Sequence, residues 1–486
     1  MQRPTRTEAD PESTRWATTH FAGADLSDVR RVRRAIRVAG AMADRTGRSI
    51  PALFVRRYDI KAAYNFFDNP DATPDHIQAG HRKLVGDGLR RPGVYLLIED
   101  TTVISYPLRR PIPGLGTVGY TSRGQTGFHL HTALATRWPG PARPGPGGRR
   151  PVLEVLGIAD QQYDVWPPRP ADAPYRRRPP ARKPTDPPKV WERTTERIGS
   201  PPEAAGVRWV RVCDREADIY EFLRSCRRAR HGFVVRAARD RIVVDPATGR
   251  PDGSLRGQIA TAPALGQFDL ELPPRPGRAA RVARLSVSAV DVALVAPRRM
   301  GRVVNATERL ACTAVRVWEE HPPENVAPLE WVLMCDAPVE GRDAAVERAL
   351  QYSARWLVEE YHKALKTGLG AERLQLETAG RLFAAVAIMA VVAWRLIALK
   401  EQLRSEPEAP AERSGLDRLE LEVLRRELGR PIGTVREVAL AVGRLGGHMN
   451  RKRDGMPGWQ TLWIGMLRLR TLVEGARLGR DLRFGE

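Results

Sequence analysis

Cysteine is scarce: Cys213, Cys226, Cys312 and Cys335 are spread through 486 residues, with no C-x-x-C pair. That scatter excludes a disulfide framework or a zinc knuckle and suits a reducing compartment. Negative charge is also short, 57 Asp+Glu against 79 Lys+Arg, which leaves a net +22. Such an imbalance bears on partners rather than fold, and it favours a polyanion, nucleic acid before an anionic membrane surface. Long apolar runs are missing. The longest, Leu382 to Trp394, stops at Arg395, too short to span a bilayer, and reads as a buried helix. The opening MQRPTRTEADPEST has no apolar core of a secretory signal. These absences give the expectation of a soluble, cytoplasmic, nucleoid-associated protein with no membrane partner. With 42% hydrophobic residues the chain is not globally disordered, and its length suits roughly three domains.

Residues 1–75 read as a helical, basic domain. Ser27 is the expected N-cap of a helix through DVRRVRRAIRVAGAMADR, with Asp28 in its first turn. Arg30, Arg33, Arg34 and Arg37 share one face of that helix. Such a face can be merely solvated; the charge of the whole chain makes a DNA-facing helix the better reading. Strand patterns follow at 94–100, 128–138 and 152–166, then helix 191–199, strand 207–214, helix 217–230 and strand 233–238. That order is expected of a ribonuclease-H-like mixed sheet. The reading is therefore an α/β protein. Its core spans 76–402 with a β-strand insertion at about 240–340, between helical N- and C-terminal domains, the latter at 403–486. The Pro/Arg segment 167–189 is expected to be an exposed loop near DNA phosphates.

Chemistry concentrates in YSARWLVEEYHKALK (352–366). On one continuous helix Tyr352, Arg355, Glu359, Lys363 and Lys366 fall within about 80° of arc, with Leu357, Tyr361, Ala364 and Leu365 opposite as anchors. One carboxylate among cations suits a metal ion and phosphates, although a plain Arg355–Glu359 salt bridge fits the same spacing. Asp100 and Asp214 close two apolar strands, where side chains enter the crevice beside a sheet. Three converging carboxylates need divalent cations, and two Mg²⁺ about 4 Å apart can drive in-line phosphoryl transfer. Glu99, Asp218 and Glu360 read as decoys, Asp218 as a first-turn helix acid. His129 and His131 alternate on a strand without a third metal ligand.

These motifs resemble the DDE transposases of the insertion-sequence-four group, particularly the Tn-five-like members. The signature Y-x2-R-x3-E-x6-K is matched by Tyr352, Arg355, Glu359 and Lys366; D-T-T is matched at 100–102 and D-R-E-A-D-I at 214–219. The resemblance extends to YNFFDNP (64–70), SRG (122–124), FVVR (233–236) and GGHMNRKRDGMPGW (446–459). It implies a cut-and-paste transposase in which Asp100, Asp214 and Glu359 are catalytic and hold two Mg²⁺, with Mn²⁺ as a substitute. Tyr352, Arg355, Lys363, Lys366 and Arg236 would grip DNA phosphates, and Trp331 would stack on a flipped base. The implied partners are double-stranded DNA, both element ends and target, and a second copy of the chain joined through residues 416–486. Two other readings are open: a catalytically silent DNA-binding protein, and a nuclease without strand transfer. The basic charge disfavours a glycosidase.

Overall fold

The computed structural model describes residues 11–107, 112–118, 125–140, 148–166, 189–204, 206–272, 280–297, 308–336, 338–451 and 454–481. Residues 122–124 and almost all of the Pro/Arg segment, 167–188, lie outside the described residues.

Helices α1 (Pro11–Phe21), α2 (Val29–Asp44), α3 (Arg57–Phe67) and α4 (Pro74–Leu89) come first. The cap of α2 is Asp28 rather than Ser27: its carboxylate accepts from the Arg30 N–H at 2.8 Å and also meets the Arg30 guanidinium. Ser27 stands one residue earlier, at φ +60°.

The sheet begins with β1 (Gly93–Tyr106), β2 (Gly116–Val118), β3 (Gln125–Trp138) and β4 (Glu154–Asp164), followed by α5 (Val190–Ile198). Then come β5 (Val207–Cys213), α6 (Tyr220–Arg228) and β6 (Gly232–Arg236). Strand β3 pairs antiparallel with β1, and β4 with β3. On the other flank β5 pairs parallel with β1 and β6 parallel with β5. The order β4-β3-β1-β5-β6 is ribonuclease-H-like, as the alternation of patterns predicts. At Gly157 in β4 an added Cβ would sit 2.4 Å from Val85 and 2.7 Å from His81, so only glycine lets α4 pack this close.

The next elements are β7 (Ile242–Val244), β8 (Pro251–Ser254), α7 (Leu255–Thr261), β9 (Gly266–Leu272), β10 (Arg281–Val295), β11 (Arg309–Glu319) and β12 (Glu330–Cys335). They do not form a separate body. Strand β12 pairs antiparallel with β6, so the inserted strands prolong the core sheet into one of twelve strands.

Helix α8 (Gly341–Ser353) and helix α9 (Trp356–Lys363) replace the one continuous helix expected through Tyr352–Lys366, and a π turn (Ala364–Gly368) follows. The chain tightens at Ala354–Arg355, where the N–H groups of Arg355, Leu357 and Val358 bond three residues back instead of four. Tyr352 to Lys366 is therefore not one straight polar stripe. Leu357, Tyr361, Ala364 and Leu365 are buried anchors, as the wheel requires.

Helix α10 (Ala379–Ser405) runs well past the apolar stretch 382–394. With 27 residues and a mean hydropathy of 2.4 over its most apolar window, it is long and apolar enough to cross a membrane, but 67% of that window is buried inside the protein. An all-round apolar helix is explained by such burial. Trp394 donates to the Val155 carbonyl of β4 at 3.0 Å, and Gln78 of α4 to the Ala387 carbonyl at 3.1 Å. Helices α11 (Arg418–Leu428), α12 (Val435–Leu445) and α13 (Trp459–Asp481) close the chain. Leu421 and Leu424 of α11 are buried with Leu403, Val438 and Leu469, so the apolar positions of LDRLELEVLRREL are used within the subunit.

Candidate active site and nucleic-acid interface

Strands β1 and β5 run parallel through the pair Glu99–Cys213, and the next residues are Asp100 and Asp214. Strand β1 does not end at Asp100, as the apolar run suggests; it continues to Tyr106 against β3 while its pairing with β5 stops. Asp214 does close its strand, and its carboxylate caps the turn Arg215–Ala217 by accepting from the Glu216 N–H at 2.8 Å. Glu359 projects from α9 with its side chain 44% exposed. Burial drives the Asp100 pKa up to about 7; Arg355 opposes the rise, while the Asp214 and Glu359 carboxylates add to it. Asp100 is thus the carboxylate on which the charges of the other two act.

Arg355 stands among them, its side chain 12% exposed. One guanidinium nitrogen lies 3.5 Å from Asp100 Oδ2, and another is paired with Glu359. Tyr352 is buried beside Arg236; burial raises its pKa against the pull of Arg355 and Arg236. Arg236 donates to the Glu330 carbonyl at 2.8 Å. Lys366, in the π turn, donates to the Val103 carbonyl at 2.8 Å and lies 3.4 Å from Glu372. Lys363 is exposed. Trp331 is 5% exposed on β12, edge-on to Tyr352 at 5.0 Å and to Trp356 at 6.5 Å, so base stacking would require this cluster to open.

The arginines of α2 divide into two groups. Arg34 and the exposed Arg37 pair with the buried Asp59 at 3.2 and 2.9 Å, whereas the exposed Arg30 pairs with its own cap Asp28 and Arg33 is exposed. Exposed Arg56, Arg57, Tyr58 and Lys61 at the start of α3 extend the basic surface. The charge run VRRYDIK could have flagged them.

The decoys are structural. Glu99, on the sheet face opposite Asp100, is fully buried with Arg211, which also donates to Thr195 at 2.7 Å. His131 joins this network, 3.2 Å from Glu99 and 2.8 Å from the Thr101 hydroxyl. No sequence signal beyond strand alternation marks Arg211. Asp218 is not a helix acid: it accepts from the N–H groups of Ala238 and Arg239 and pairs with Arg241. Glu360 pairs with the buried Lys400 of α10. His129 stacks on Trp166 at 4.2 Å.

Three hard oxygen donors suit a divalent cation in kind. As placed, they do not converge: among the described residues no group of three His, Cys, Asp or Glu stands close enough to hold a metal ion. The Arg355 guanidinium bridges Asp100 and Glu359 instead.

Fold and site define a ribonuclease-H-like α/β protein with acidic residues where two parallel strands part, flanked by a basic helical domain and a C-terminal helical cluster. Comparison with protein families then identifies the flanks. Residues 13–72 match a transposase DNA-binding model, and residues 391–484 match the transposase Tn5 dimerisation domain. The two flanks are thus similar to the DNA-binding and dimerisation regions of transposases, the latter of the Tn5 type. Neither reaches the stretch that carries Asp100, Asp214 and Glu359.

Proposed function

We propose that the protein is a cut-and-paste DNA transposase, of the insertion-sequence-four group that its motifs resemble. It would nick the element's end, form and reopen a hairpin, and join the freed 3′ end to target DNA. The observation that carries this reading is that Asp100 and Asp214 directly follow the paired residues Glu99 and Cys213 of two parallel strands, while Arg355, just before α9, touches Asp100 and pairs with Glu359 of that helix. Asp100, Asp214 and Glu359 would hold Mg²⁺, which supplies Lewis-acid activation of the attacking and leaving oxygens when bound. Arg236, Arg355, Lys363 and Lys366 form the cationic wall along which scissile phosphates would lie, and Tyr352 orients Arg236. Arg30 and Arg33 of α2 would contact the duplex of the element end, while Arg34 and Arg37 brace the domain through Asp59.

The test is incubation of purified protein and Mg²⁺ with DNA covering both flanks of its own gene, with products mapped at nucleotide resolution. Paired nicks followed by hairpins support the proposal; binding without nicks points to a silent DNA-binding protein, and simple hydrolysis to a nuclease. Log affinity should fall linearly with log salt, with a slope of about −0.9 per phosphate neutralised. A flat response would count against the basic face. Trp331→Ala should impair hairpin formation more than the first nick; equal loss at both steps would assign the ring to packing alone.

A further inference from the structure

Arg355 touches two of the three carboxylates, Asp100 and Glu359. Its guanidinium lies between Asp100 and Glu359, where an ion shared by these groups would have to approach. The tight turn at Ala354–Arg355 places it there, anchored by the buried Leu357 and Val358 just beyond. Its bonding is incomplete. The Asp100 contact is long at 3.5 Å, and Nε is buried without a partner. A phosphate presents several acceptor oxygens to a guanidinium fork and could satisfy Nε as well. Two of the neighbouring cations are turned to other acceptors, Arg236 to the Glu330 carbonyl and Lys366 to Val103 and Glu372, while Lys363 is exposed.

We propose that Arg355 is a latch that makes entry of the divalent ion depend on DNA: before DNA binds it neutralises Asp100 and Glu359, and a DNA phosphate then draws it away. The proposal rests on the reading of Asp100, Asp214 and Glu359 as the metal-holding set. It sets an order of binding, DNA first and ion second, and holds the carboxylates unarmed away from a substrate. Because linkage is reciprocal, DNA and ion should each tighten the other, within the roughly 5- to 150-fold range of such couplings.

Mn²⁺ is the probe, its free signal followed by electron paramagnetic resonance in titrations of the full-length protein. Arg355→Gln should bind Mn²⁺ about tenfold tighter than wild type without DNA, and Arg355→Lys should fall between them. A random-sequence duplex at low salt should tighten Mn²⁺ binding to wild type and leave Arg355→Gln unchanged. Circular dichroism establishes that each variant is folded. Unchanged or weaker Mn²⁺ binding by folded Arg355→Gln overturns the latch, as does a wild-type affinity indifferent to DNA. Asp100→Asn distinguishes failure of the latch from failure of the carboxylate site. If it leaves Mn²⁺ binding intact in both backgrounds, the ion binds elsewhere, and the carboxylate reading falls together with the latch.

Discussion

Glu359→Gln should lower nicking by roughly a thousandfold or more while leaving the fold and DNA binding in place. The substitution keeps the shape of the side chain and removes only its charge. Helix α9 is held by Leu357, Val358 and Tyr361, all buried, and none of those contacts changes. The Glu359 side chain is 44% exposed, so its pairing with Arg355 contributes only a few tenths of a kcal/mol after solvent screening. Activity and stability should therefore separate cleanly. Parallel assays of nicking, duplex binding and melting temperature check this, and retained nicking would remove Glu359 from the catalytic set.

The largest effect on stability should come from the opposite face of the same strands. Glu99 and Arg211 have side-chain exposures of 0% each. Replacing one partner leaves the other charge buried and uncompensated, which costs about 3–5 kcal/mol. Glu99→Gln should thus lower the urea midpoint sharply, whereas the double change Glu99→Leu with Arg211→Met should recover most of the loss. Burial alone would raise the Glu99 pKa, but Arg211 and His131 hold it below the usual glutamate range. A depressed folded-state pKa means that the pair's stabilisation is present above the unfolded value and is lost only as the pH falls through the folded one. The penalty of Glu99→Gln should accordingly stay flat between about pH 5 and 8 and shrink in stronger acid. A loss under about 1 kcal/mol would show that Thr195 and the nearby His231 compensate Arg211 on their own.

The core strands were legible because apolar, β-branched runs carry a local signal, although the run that stops at Asp100 hides the continuation of β1 to Tyr106. The helix through Glu359 was only half legible. YSARWLVEEYHK has helix formers on both sides of its break, and the three-residue bonding at Arg355 depends on what the turn packs against. Glu99 and Arg211 lie 112 residues apart, joined by the register of two parallel strands that no local pattern reports. The arginines of α2 looked alike in sequence because Asp59, which takes up two of them, lies on another helix. The inserted strands were legible as an insertion in the core, but the pairing of β12 with β6 that makes them one sheet with it was not, because strand partners distant in sequence leave no local pattern.

Helix α10 also bears on how the chain is made. Strands β1 to β6 are complete by Arg236, yet the helix that covers β4 and receives α4 begins only at Ala379. At about 5–20 residues per second, the ribosome leaves that sheet half-covered for roughly 7 to 30 seconds. During this interval its apolar face is open to chaperones and to neighbouring nascent chains. A message broken before α10 would leave β4 and α4 without the helix they hydrogen-bond to, so the late arrival of one helix sets when the early part of the chain is covered.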